Sequence, residues 1–455
     1  MNDLVLYTLI RQHALELEHK AQLQRLAQDW ADSSQTHGLE RLYYSVKFLF
    51  WFAASLPVAL LVLLVQSRGF TLGQIGFLLG VFALTVALLE VPSGMLADLF
   101  GRKRTALVAY LFLVAAQLAL FFAFSLPLFA LWAVLYGVGR ALVSGALEAW
   151  FVDRVDEVAP GTDMQPLFAK AGTVELLALT LGTLAGGVFP KLFGGLPEGG
   201  MLSPLSVVLL ISAGIYGVLF LVVALGLEDN KTPEVTHGNL RALVGSAVTL
   251  SRQSPALRLL FAGAIAGGFA GAGLETFWQP QFAQFLGTEF LNTKTMILSV
   301  IMAGSFGVGM LGNLASIPIS RLCRGHHGRT VVLAQGLGGL AFVLLALQTQ
   351  ALPAVLLFWL VYLTLGVSSS PLQTLLNEAV PSSSRAAMLS VGSLMSYIGY
   401  FLGSLLLGQV AERLSIAAAW GVAGAVLFTS LLFYLRLSRL ERAKPVSTSR
   451  VSAPL

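Results

Sequence analysis

Asp98 and Arg102 stand four residues apart in the stretch SGMLADLFGRKRTAL (93–107), where Gly94 and Gly101 flank the acid and Arg102, Lys103 and Arg104 follow in a row. A carboxylate and a guanidinium at this spacing are neighbours on a helix surface or across its end. The charged segment separates two apolar runs, so it is a polar clasp between two greasy helices. Gly94 lets a neighbouring helix approach, Asp98 can satisfy a helix N-terminus, and Arg102 can hold that carboxylate. An arrangement of this kind can engage and release.

Other charges stand inside apolar runs, where an acid at the centre of a bilayer costs roughly 2.5–3.5 kcal/mol. Glu90, Gly94 and Asp98 share one helix face at i, i+4 and i+8. Glu90 therefore either carries a proton or belongs to the clasp, paired with Arg102 or another base. Arg140, Ser144 and Glu148 share a face in the same way. Arg140 needs an acid partner or a wet cavity, and serves either in coupling or as a static ion pair. Glu175 either lines a cavity or pairs with Arg140 or Lys170. In LETFWQPQF (274–282), Glu275 lies one turn from Trp278, with Gln279 beside it. A carboxylate near an indole suits an organic cation through charge and cation–π attraction, and Pro280 can bend the helix and free carbonyls. The alternative is an aromatic-belt Trp with an interfacial acid. His326 and His327 have no acid beside them, and the single Cys323 excludes an internal disulfide and a multi-cysteine metal site. No phosphate-binding loop or nucleophile–base arrangement is present in the sequence, so no cofactor, metal or ATP-driven step is expected.

These residues need a membrane to position them. Of 455 residues 56% are hydrophobic and only 11% charged, against about a quarter charged in soluble domains. Runs of about twenty apolar residues, enough to cross a ~30 Å core, fall near 43–66, 73–99, 104–124, 127–152, 166–190 and 203–227. A second set falls near 256–285, 294–320, 329–350, 353–379, 386–410 and 415–437. With the N-terminus cytoplasmic, all of the 28 Lys and Arg lie on the cytoplasmic side except Arg68, Lys191, Lys294, Arg413 and the intramembrane Arg140. The positive-inside rule therefore puts both termini in the cytoplasm. Residues 1–42 hold no signal-peptide core. They are an extension, with an amphipathic helix around Leu23, Leu26, Ala27 and Trp30 as one reading.

The chain turns polar between Glu228 and Ser254 and divides the spans six and six. The halves echo each other: GMLAD (94–98) recurs as GNLAS (312–316), SGALEAWFVD (144–153) as SSPLQTLLNE (369–378), and LGTLAGG (181–187) as LGSLLLG (402–408). An internal duplication of this kind marks a rocking transporter with its substrate between the repeats. The expected organisation is an extension (1–42), a six-helix bundle (43–227), a cytoplasmic linker (228–255), a second bundle (256–437) and a tail (438–455).

Gly94, Asp98, Gly101, Arg102, Lys103 and Arg104 match in order the signature of the major facilitator superfamily, which the whole chain resembles. The resemblance implies an all-α membrane protein with twelve transmembrane helices in two pseudo-symmetric six-helix bundles. In that family the Asp and the first Arg latch the two halves on the cytoplasmic side. Gly94, Asp98, Gly101, Arg102 and Arg104 are thus expected to gate. The repeat pairs Asp153 with Glu378, and LLNEAVPSSSRAAMLS (375–390) resembles a loop of efflux members, so Glu378 and Arg385 are expected to join the gate. Proton-coupled drug antiporters of the superfamily carry an Arg in the fourth helix, followed by two residues, Gln and Gly. Here RALVSG keeps Arg140, puts Ser144 in place of the Gln and brings Gly145 one position late. LGTLAGG resembles that subfamily's Gly-rich fifth helix without its Gly–Pro pair.

The expectation is a secondary transporter, not an enzyme, working by alternating access as a proton-coupled efflux antiporter of lipophilic or cationic small molecules. Proton coupling is expected from Glu90, Arg140, Glu148 and Glu175, and substrate binding from Glu275, Trp278 and Gln279. The alternatives are a nutrient uniporter or proton symporter, and a non-transporting receptor or scramblase on the same fold. Expected partners are a small-molecule substrate, protons and the lipid of a bacterial inner membrane, with no nucleic acid, for a monomeric chain.

Overall fold

The computed structural model describes residues 36–197, 200–228, 245, 249–287, 291–380 and 385–443. Among them there is no strand, and eleven helices are long and apolar enough to cross a membrane. In the first half these are α3 (Leu72–Phe100), α4 (Arg102–Phe121), α5 (Leu126–Val158), α6 (Met164–Leu192) and α7 (Val207–Gly226). In the second they are α8 (Pro255–Phe285), α9 (Leu291–Leu322), α10 (His327–Ala346), α11 (Ala351–Glu378), α12 (Arg385–Arg413) and α13 (Ile416–Ala443). The expected span at 43–66 is instead two pieces, α1 (36–55) and α2 (Leu61–Ser67). Pro57 opens the break, because it has no N–H to donate and its ring crowds the preceding turn. The expected boundary at residue 43 falls inside α1. The amphipathic helix proposed for the extension lies outside the described residues, as does most of the expected linker.

Local chemistry sets several helix starts. Thr71 and Gln74 form a reciprocal capping box at the head of α3. Asp163 accepts from the N–H of Gln165 at α6, and Ser254 accepts from Leu257 ahead of Pro255 at α8. The turn from α3 to α4 is one residue, Gly101, whose φ of 91° falls in the region glycine favours.

Within the first half α4 packs on α5 and α7, and α3 on α5; within the second α8 packs on α12 and α13, α9 on α11, and α10 on α11 and α13. Two long seams join the halves, α3 along α12 and α6 along α9. The first is tight: a Cβ on Gly76 would overlap the backbone of Ser404. Near the second, Thr295 donates to the carbonyl of Gly187 at 3.1 Å.

The two ends of the bundle differ. Toward the end opposite the termini, one cluster of buried residues runs through both halves, joining Leu60, Ile75 and Trp132 to Leu274, Trp278 and Trp420. Arg68 closes that end of the first half by donating to the carbonyls of Leu120, Phe121 and Ala123. Burial lowers its pKa to about 10, still well above neutrality. Toward the end holding the termini, the halves keep separate clusters, one around Tyr43, Phe50 and Trp150, the others around Leu257 and Leu260. The halves share one buried cluster at one end and keep separate ones toward the other.

Candidate functional site: a central cavity and its charged surroundings

A cavity of about 210 Å³ lies between the halves. The first half contributes Phe82 from α3, Gln117 from α4, and Trp132 and Tyr136 from α5. The second contributes Glu275 and Trp278 from α8, Met302 from α9 and Tyr400 from α12. Glu275 is the one charged side chain among the described lining residues. It is exposed to the cavity, and Tyr400 lines the same cavity. The Trp278 ring is buried and tilts against Phe358, with centroids 6.0 Å apart. Opposite, Trp132 and Tyr136 stack at 5.9 Å and 16°. An anionic oxygen within aromatic walls attracts a cation by charge and by the ring quadrupoles together.

Gln279 has a different setting from its neighbours. Its Oε1 accepts from the N–H of Val62 at 2.9 Å and its Nε2 donates to the carbonyl of Val58 at 2.7 Å. The amide thus satisfies two backbone groups at the α1–α2 break, across the halves, and little of it is left for a ligand. Pro280 sits inside an uninterrupted α8.

Glu148 and Glu175 meet at a residue that sequence reasoning missed. Lys47 of α1 reaches Glu148 at 3.1 Å and Glu175 at 3.0 Å, with its own side chain 10% exposed. Glu175 therefore pairs with neither Arg140 nor Lys170, and Lys170 pairs with Glu40. Instead of an acid, Arg140 has aromatic rings beneath it, Trp51 at 4.6 Å and Phe50 at 5.3 Å. Glu90 accepts from the Ser393 hydroxyl at 2.9 Å, a bond from α3 to α12 across the seam.

At the terminal end, Arg102 holds Asp98 at 2.8 Å and approaches Asp153 at 3.4 Å, while also donating to the Gly145 carbonyl. All four residues belong to the first half. Asp98 and Arg104 are exposed, and the space in front of Gly94 is open. Gly145 is the glycine that close packing needs here, since a Cβ on it would press on the Gly94 backbone. Glu378 is exposed at the end of α11. Arg385 opens α12, but its side chain lies outside the described set.

A family profile described as Major Facilitator Superfamily matches residues 44–325, more than half of the chain. An uncharacterized MFS-type transporter of Bacillus subtilis, YxaM, is 20% identical over 403 residues, which cover 88% of this chain and 96% of that one. Among solved structures, the nucleoside transporter NupG has a TM-score of 0.66 at 15% identity, covering 90% of this chain and 98% of its own. A POT family transporter in complex with 5-aminolevulinic acid gives 0.67 at 13%, covering 90% and 97%. A bacterial homolog of the human lysosomal transporter Spinster, inward-facing and unoccupied, gives 0.63 at 16%, covering 90% and 96%. At these identities the structures share a fold with the chain and nothing narrower.

Proposed function

The chain belongs to the major facilitator superfamily, a multi-pass membrane transporter, and from that premise we propose that it exports lipophilic organic cations in exchange for protons. The observation that carries the reading is Glu275, a carboxylate open to an otherwise uncharged, aromatic cavity between the halves. In this reading the α1–α2 pair is one further span, twelve in all, so both termini lie on one side, which the positive-inside rule makes the cytoplasmic side of a bacterial inner membrane. The conformation is then closed outside and parted toward the cytoplasm.

The exchange follows from the cost of the charge. An ionised carboxylate sealed in the membrane without a partner is unfavourable by roughly 2.5–3.5 kcal/mol. Glu275 passes through the occluded state cheaply only when neutralised, either by the cation or by a proton. Cation and proton thus compete for one oxygen pair, and reorientation in opposite directions with the two loads is antiport. Glu90, bonded to Ser393 across the α3–α12 seam, couples the motion of the halves to charge, and Lys47 with Glu148 and Glu175 forms a charged cluster within the first half. Asp98 and Arg102 re-engage the second half when the cytoplasmic side closes. The cycle uses no bound cofactor.

The test is dequenching of a pH-sensitive dye in inverted membrane vesicles that hold an imposed proton gradient. Lipophilic cations, neutral drugs and sugars are added to the parent, to Glu275→Gln and to an empty-vector control. Cation-dependent proton release, lost in Glu275→Gln, is the expected result. Uptake of any compound without proton release overturns the antiport reading.

A further inference from the structure

The second half holds a cavity of its own, about 400 Å³, toward the end that carries the termini. Gly267 of α8, Ser369 and Gln373 of α11, and Leu389, Ser393 and Ser396 of α12 are part of its wall, and no charged residue lines it. The Ser393 hydroxyl donates to Glu90 and the Ser396 hydroxyl to the carbonyl of Gly392, which leaves lone pairs on both oxygens. Ser369 and Gln373 are exposed, and their side chains make no hydrogen bond with the described residues. The internal repeat relates this wall to the first half. The match of 144–153 with 369–378 sets Gln373 in the place of Glu148. Helices α6 and α12 are both 29 residues long, and lining them up end to end sets Ser396 in the place of Glu175. In the first half Lys47 joins those two acids and fills the space between them. In the second the acids have become an amide and a hydroxyl, and α8 brings glycine. Gly268 packs on the backbone of Ser396, but a Cβ on Gly267 would meet nothing within 4 Å. The polar wall is kept, and the side chain that would fill it is left out.

We propose that this cavity is a second binding site, for an uncharged polyhydroxyl solute with one apolar side. The site is separate from Glu275 and does not rest on the cation reading. Its lining selects against charge, because an ammonium or a carboxylate would sit there without a counter-charge. Hydroxyls of the solute donate to the oxygens of Ser393 and Ser396 and accept from the Gln373 amide and Ser369, while its apolar side lies against Leu389. Ser393 also holds Glu90 of α3, so a bound solute touches the bond that ties α12 to the first half.

The experiment is equilibrium dialysis of p-nitrophenyl β-D-glucoside against the purified full-length chain in nanodiscs, with empty nanodiscs as the blank. The matching glucuronide serves as an anion of the same shape. The parent should bind the glucoside saturably and the glucuronide at least about tenfold more weakly. Gln373→Leu should weaken glucoside binding roughly fivefold, the worth of one hydrogen bond. Gly267→Leu fills the cavity and should abolish binding while melting no lower than the parent, since leucine is the better helix former. Glu275→Gln should bind the glucoside as the parent does. A parent that binds no glucoside holds only water in this cavity, which overturns the proposal. Binding that survives Gly267→Leu also overturns it, as does binding lost in Glu275→Gln, which belongs to the central cavity. Should Gly267→Leu melt lower, Gln373→Leu decides, and glucoside binding unchanged in that variant overturns the site.

Discussion

Glu412, in the last turn of α12, accepts a hydrogen bond from the backbone N–H of Gly73 at 2.8 Å, across the seam between the halves. The same carboxylate oxygen takes the hydroxyl proton of Thr71, also at 2.8 Å. Gly73 is in the first turn of α3, so the acid faces the positive end of that helix dipole. A Cβ at Gly73 would displace the carboxylate from this position. The second half thus closes the distal end by capping a helix of the first.

Glu412→Ala should loosen that end. A cap of this kind is worth about 1 kcal/mol, which corresponds to roughly fivefold more of the state open at the distal side. A cysteine at Leu79, which lines the cavity, reports it in a background where the buried Cys323 is alanine. Labelling by a membrane-impermeant maleimide from outside should speed up about fivefold in Glu412→Ala. An unchanged rate would remove Glu412 from the closure.

The amide of Gln279 makes a second, independent prediction about the same end. Gln279→Leu keeps the bulk but strands the N–H of Val62, itself 2% exposed, and the carbonyl of Val58. Each unmade bond to a buried backbone group costs about 1–3 kcal/mol, while the apolar packing of Leu60 and Val62 with Phe277 and Trp278 stays. A lower melting temperature in detergent is expected, together with faster outside labelling at Leu79→Cys. Gln279→Glu retains the acceptor for Val62 and should fall between parent and Leu. Equal stability of all three proteins would mean that the break holds itself.

How much of this was legible in the chain differs by residue. The Asp98–Arg102 pair was, because a membrane sequence leaves few charges and the i, i+4 spacing fixes their meeting. Glu275 was singled out for the same reason, as an acid in an apolar run. Lys47 was not, since it stands only four residues into an expected span beginning at 43. The helix is already formed at residue 36, which places Lys47 about three turns inside. The break at Pro57 had a signal in the proline itself, within a span taken as continuous. Gln117, Trp132 and Tyr400 had none, because their common cavity depends on the register of three helices drawn from both halves. For Arg140 the expected partner was an acid or a wet cavity, whereas the rings of Phe50 and Trp51 lie in α1, four helices earlier in sequence order, and carry no charge to notice.

Lys47 carries the prediction with the sharpest internal control. One cation sits between two acids, so the cluster holds a net charge of −1 within the membrane-spanning part of the first half. Lys47→Met raises that to −2 and leaves two carboxylates facing each other. Removing one partner of a fully buried pair costs about 3–5 kcal/mol. Glu148 is 57% exposed on its side chain and Glu175 30%, and solvent screening brings the expectation down to about 2 kcal/mol. Lys47→Met should therefore melt lower than the parent and lose transport. Adding Glu175→Gln returns the charge to −1 and should recover most of the stability, since the remaining acid, Glu148, is the more exposed one. Adding Glu148→Gln instead leaves the less exposed acid unpaired and should recover less. That order, read from melting curves of the two double variants, separates a charge-balanced cluster from simple packing of the lysine stem. Packing alone would make the two double variants melt together with Lys47→Met.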